Sequence, residues 1–158
     1  MQQITVAYRP FDPDSHLAYS YKALALAQQC EDPNVLCKTR VNTSFLLLRR
    51  GQKDEAKELL LLNMSDSSGA TDSVIACTQH ILAMVAYTSG KFEQCIKLGL
   101  AAAPALEALK DSQVIGANYM MIAGAYASSV GDNDKAMKYV ELAVRYVNTK
   151  SSPTNRLI

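Results

Sequence analysis

Residues 123–144 read AGAYASSVGDNDKAMKYVELAV, and two features of this stretch decide the fold. A run of small and aromatic residues with helical spacing stops at Gly131, and a second helical pattern starts within a few positions. Ala136 stands five positions after the glycine. The same arrangement occurs at Gly51 to Ala56 (GQKDEA) and at Gly90 to Cys95 (GKFEQC), so the glycines recur at steps of 39 and 41 residues. Self-similarity at such a period marks a stacked helical-repeat architecture. Glycine ends a helix because it enters the left-handed region without a Cβ penalty. The small residue five positions on lets the next helix pack close against its partner.

The rest of the chain extends this unit in both directions. Residues 1–13 read as an extended lead-in, with Ile4 and Val6 before the helix-disfavouring Pro10-Phe11-Asp12-Pro13. Asp14 or Ser15 then caps a first helix that runs to between Ala27 and Cys30. Pro33 opens a second helix that ends at Gly51. A third runs from Lys53 to about Asn63, and the polar stretch MSDSSGA (64–70) is a loop. Thr71 or Asp72 caps a fourth helix, which reaches Gly90. The fifth spans Phe92 to Leu109, with a kink or break expected at Pro104. The sixth spans Ser112 to Val130 and the seventh Asn133 to Val147, before a flexible tail over 149–158 with Pro153. With no credible strand run, the expected fold is an all-α, right-handed solenoid of about seven antiparallel helices.

Composition sets the class. The 158 residues form one domain of ordinary size, 49% hydrophobic and 20% charged, which fits a folded globular chain. Sixteen basic residues against fifteen acidic ones leave a formal charge of +1, so no electrostatic bias points to nucleic acid or a membrane surface as partner. No apolar run has the roughly 20 residues that span a bilayer, and MQQITVAYRP does not resemble a signal peptide. Cys30, Cys37, Cys77 and Cys95 form no C-x-x-C pair, and they read as reduced thiols of a cytoplasmic protein. The sequons Asn42-Thr43-Ser44 and Asn63-Met64-Ser65 are chance matches on that reading.

The three segments, about 33–63, 71–109 and 112–148, resemble tetratricopeptide repeats. The likeness rests on Gly before helix B, on the small residues Ala56, Cys95 and Ala136, and on Ala102 and Ala143 further along. Asn63 takes that last place in the first repeat. Ser44, Ala83 and Gly124 are the small positions of helix A. A period near 40 instead of 34, and no bulky aromatic at the start of helix A, set the chain apart from the standard repeat. Lengthened repeats of this kind are similar to those of bacterial regulators, including peptide-responsive sensors and LuxR-type activators.

That resemblance implies a concave face lined by the A helices. It would take Lys38, Val41, Phe45, Leu48 and Arg49 from the first repeat, Cys77, His80, Met84 and Tyr87 from the second, and Asn118, Met121, Ala125 and Ser128 from the third. Each set recurs at helical spacing and so forms one stripe. Phe45, Met84 and Met121 would make an adaptable apolar centre for a partner's apolar anchors, with a polar fringe of Lys38, Arg49, His80, Tyr87 and Asn118. Ordinary core packing gives the same pattern. The carboxylate clamp of chaperone-binding members is absent, since Val41 and Ile81 stand where polar residues are needed.

Chemistry finds little support. Cys77, His80 and Cys95 lack the fourth ligand zinc prefers, and no third group orients a Cys–His nucleophile. Asp132-Asn133-Asp134 lacks the remaining ligands of a calcium loop. The basic cluster Arg40, Arg49, Arg50, Lys53 and Lys57 is interleaved with Asp54, Glu55 and Glu58 and reads as a solvated face. The sequence therefore predicts no enzyme, no cofactor and no metal, but a protein- or peptide-binding module, the sensory or scaffold part of a bacterial signalling or transcription regulator. The alternative is a structural domain that self-associates into a homo-oligomer through its terminal helices, the last of which carries Tyr139, Leu142, Val144 and Tyr146.

Overall fold

The structure, a computed structural model, describes residues 13–129 and 131–148. The extended lead-in and the flexible tail lie outside them, apart from Pro13. The described residues form seven helices and no strand: α1 (Pro13–Gln28), α2 (Pro33–Arg49), α3 (Lys53–Ser65), α4 (Asp72–Thr88), α5 (Phe92–Ala108), α6 (Ser112–Ser129) and α7 (Asn133–Asn148). They divide into two compact units, one ending at Ile81 and the other starting at Leu82, so α4 contributes its first ten residues to one and the remainder to the other.

The repeated glycines act as the sequence predicts. Gly51, Gly90 and Gly131 hold φ of +79°, +71° and +62°, and nothing lies within 4 Å of a Cβ added to any of them, so backbone conformation alone selects glycine there. After Gly51 the Gln52 N–H donates to Leu47 O, and after Gly90 the Lys91 N–H donates to Ala86 O, closing the preceding helix in the Schellman manner. Aspartates start several helices: Asp32 Oδ1 accepts from the Asn34 and Val35 N–H groups, and Asp111 and Asp132 cap α6 and α7 alike. Asp132 also pairs with Lys135 Nζ at 2.8 Å. Its hydrogen bonds with Lys135 hold its carboxyl below the usual range.

In the first unit α2 packs against both α1 and α3. Leu24, Ala27, Cys37, Val41, Leu47, Leu48, Ala56 and Leu60 are buried. Several polar groups cross this interior with partners, whereas the buried Ser44 hydroxyl has none among the described residues. The Ser20 and Thr43 hydroxyls share a 2.6 Å hydrogen bond. Asn63 is buried and donates through Nδ2 to Cys37 O at 2.8 Å and to Thr78 Oγ1 at 3.3 Å, while Arg40 donates to its Oδ1. The position that is Ala in the later repeats is here a hydrogen-bonding bridge. Tyr21 Oη donates to Glu55 from α1 to α3. Burial, reinforced by that carboxylate, pushes the phenol up to about 12.

In the second unit α6 packs against α5 and α7. Ala83, Ala86, Cys95 and Ala125 form a small-residue core, with Phe92, Ile96, Leu98 and Met121 against it. Burial pushes the Cys95 thiol up to about 11, which keeps it protonated and unreactive at neutral pH. A Cβ added at Gly99 would stand 2.8 Å from Ile122 Cγ1, and Asn118 Nδ2 donates 2.9 Å to Gly99 O. Between α6 and α7 the rings of Tyr126, Tyr139, Tyr119 and Tyr146 form a ladder, with successive centroids 5.6, 5.9 and 5.9 Å apart. Tyr119 Oη donates to Glu107 Oε1 at 2.5 Å.

Of the kink or break expected at Pro104, the break is absent: α5 runs through the proline. The proline ring removes the N–H that would bond to Leu100 O. Both residues are exposed, so the released carbonyl faces water at small cost.

Two consequences can be measured. Gly99→Ala gains helix propensity of up to ~1 kcal/mol yet must displace Ile122, and overpacking of this kind costs about 1–3 kcal/mol. The variant should therefore unfold at lower urea concentration than wild type. The second concerns alkali. Burial and the Glu107 hydrogen bond raise the Tyr119 phenol above its ordinary 10.0. The folded chain thus keeps this proton where the unfolded chain has lost it, so the contribution is full below pH 10 and fades as pH rises beyond it. Tyr119→Phe should flatten the alkaline fall of the urea midpoint.

Candidate functional site

The residues expected to line a groove divide between the two units, and each set is described on its own. On α2 of the first unit, Lys38 and Arg49 are exposed, Phe45 is half-buried, and Val41 and Leu48 are core residues. His80, in the α4 residues of this unit, is buried as well. The surface stripe of α2 is Lys38, Asn42, Phe45 and Arg49, at spacings of four, three and four. It runs one position away from the line through Val41 and Leu48. Arg49 lies over the Phe45 ring with its guanidinium carbon 6.0 Å from the centroid, a cation–π contact on the surface. Asn42, absent from the sequence-derived groove, sits in this stripe and is exposed.

In the second unit Met84 is half-buried, and Met121 packs against the small-residue core. Asn118 is buried, its side-chain amide committed to the Gly99 carbonyl, so it ties α6 to α5 and does not form part of a polar fringe. Tyr87 is 36% exposed. Its ring lies across Gly124, where an added Cβ would meet Tyr87 Oη at 2.8 Å, and it meets Phe92 edge-on at 5.7 Å. Glycine at 124 therefore makes the seat on which the ring rests. Beside Phe92 opens a cavity of about 520 Å³, lined by Gly90, Lys91, Phe92, Glu93, Gln94, Ser128 and Ser129. No side chain caps the start of α5 there, which leaves its first backbone N–H groups to other partners.

Phe92 was not among the residues read as a site. The signal was present in the repeat itself: the equivalent positions are Lys53 and Asn133, both polar, and an aromatic among them marks a departure. Chemically, the second unit offers an aromatic wall of Tyr87 and Phe92 and backbone donors at a helix start. That combination suits an apolar side chain with its main chain alongside. Among the described residues no group of three or more His, Cys, Asp or Glu side chains is placed to hold a metal ion.

The family model described as the SusR N-terminal TPR domain matches residues 1–152 of the chain. No curated protein and no solved structure matches it.

Proposed function

The chain belongs to the SusR N-terminal TPR domain family, and on that footing we propose that it is a protein-interaction module that binds a partner segment through apolar anchors. Repeats of this family are in general interaction modules and not catalysts, which supports the reading. The observation that carries it is the partly exposed Tyr87 ring, seated on Gly124 and edge-on to Phe92, which itself lines the cavity. A partially exposed aromatic, fixed by its neighbours and adjoining a cavity, is the kind of anchor point that dominates binding energy in protein interfaces. The unclosed N–H groups of α5 would receive a carbonyl of the bound segment.

The family description places its domain at the N-terminus of a larger protein. With that, the proposal extends to the sensory or scaffold part of a signalling or transcription regulator. The four free cysteines fit a reducing compartment, and among the described residues no helix is long and apolar enough to cross a membrane. A cytoplasmic working place is part of the same proposal.

The test is affinity capture from a native lysate with wild-type chain, Tyr87→Asp and Phe45→Asp, each shown by circular dichroism to be folded. The captured protein's affinity is then measured with purified components. Tyr87→Asp should weaken binding about tenfold or more, and Phe45→Asp far less. Equal loss in Phe45→Asp alone would move the site to the α2 stripe, and binding untouched by either variant would refute it.

A further inference from the structure

Among the described residues of the second unit, the four most exposed large apolar side chains are Met137 (58%), Val147 (55%), Met120 (51%) and Val144 (47%), and all stand on α6 and α7. They form one face. Val147 Cγ2 comes within 3.1 Å of a Cβ built on Gly116, so the antiparallel pair carries Met120 to the level of Val144 and the exposed Ala127 to that of Met137. The half-buried Val140 completes a line along α7 at Met137, Val140, Val144 and Val147, with spacings of three, four and three.

The repeat explains why this line exists. Shifted back by the 41 residues that separate Gly90 from Gly131, it falls on Ile96, Gly99, Ala103 and Leu106 of α5. Those residues are buried or half-buried, and α6 closes on them with Ile122 at Gly99. The α7 line is thus the next copy of an interface already formed in this unit, left open to solvent. Contiguous exposed apolar surface of this kind marks an interaction site.

We propose that this face pairs with the same face of a second copy of the chain about a two-fold axis. The line is self-complementary: in an antiparallel pairing Met137 falls opposite Val147, and Val140 opposite Val144. In that register Glu141 of one copy comes within a turn of Arg145 of the other, and symmetry repeats the contact on the far side. Opposite charges flanking a 3–4 spaced apolar seam are the arrangement by which helices select each other and their direction. This inference stands apart from the Tyr87 site, which uses other residues.

Analytical ultracentrifugation of the full chain across the micromolar range tests it. Wild type should sediment as a dimer, and Val144→Lys or Met120→Lys should shift dissociation to about tenfold higher concentration or beyond. Both positions are exposed, and circular dichroism should show unchanged helix. Charge supplies a readout independent of folding. Glu141→Arg and Arg145→Glu should each weaken self-association, while an equal mixture of the two variants should dimerise again, one partner being wholly positive and the other wholly negative at these positions. A wild-type monomer would overturn the proposal and leave a helix of another chain as the occupant. A dimer indifferent to the lysine variants, or a mixture with no recovery, would overturn it too.

Discussion

Helices α5 and α6 meet at a distance that excludes a side chain. At Gly99 the facing Ile122 occupies the space a Cβ would need, and the exposed main-chain carbonyl of the same residue receives the Asn118 amide. These two facts are linked, because the missing side chain at Gly99 leaves room for α6 to come close enough to set the Asn118 amide on its carbonyl. Dispersion contacts are individually small and grow with the number of atoms brought to van der Waals distance. A seam that includes Cys95, Gly99 and Ala125 gains by closeness what it lacks in bulk. The large side chains then gather elsewhere, in the tyrosine ladder between α6 and α7.

The first unit meets the same demand differently. Ser44 and Ala56 are fully buried there, but Asn63 stands where later repeats carry alanine. A buried asparagine costs several kcal/mol unless its donors and acceptor are met. Here Cys37 O, Thr78 Oγ1 and Arg40 meet them. Threonines 39, 43 and 78 return their hydroxyls to carbonyls four residues back on their own helices, so further polar residues sit inside at low cost. One unit is sealed by directed hydrogen bonds, the other by apolar contact with the Asn118 amide and the Tyr119–Glu107 hydrogen bond as ties between α5 and α6.

These differences explain what the sequence made legible. Gly51, Gly90 and Gly131 could be read because a left-handed φ has few substitutes for glycine, and the small residues five positions later because close approach admits few side chains. Helix boundaries followed. The candidate site was harder, since a stripe on a helix has an inner and an outer edge that differ by a single position. Phe45 and Arg49 fall on the outer edge and Val41 and Leu48 on the inner one, and hydropathy separates neither pair cleanly. Asn118 and His80 were read as surface because they are polar. Both are buried, and for Asn118 the partner is the Gly99 carbonyl 19 residues away on another helix. Pro104 misled for the opposite reason: its local penalty is real, but exposure lets water absorb it.

A repeat specifies stacking, and so its shared positions carry no information about what the protein binds. The informative positions are those where one copy departs from the others. Phe92 in place of Lys53 and Asn133 is one such departure: it packs against the small-residue core and also adjoins Tyr87 and a cavity. Glycine at 124, where the other repeats have Ser44 and Ala83, is another, and it is the seat of the same tyrosine. The sister repeats carry Ser44 or Ala83 at the position of Gly124 and Lys53 or Asn133 at that of Phe92, so the repeat pattern by itself does not call for this pair. The proposed site accordingly rests on the pair formed by Tyr87 near the end of α4 and Phe92 at the start of α5, where two departures from the repeat meet.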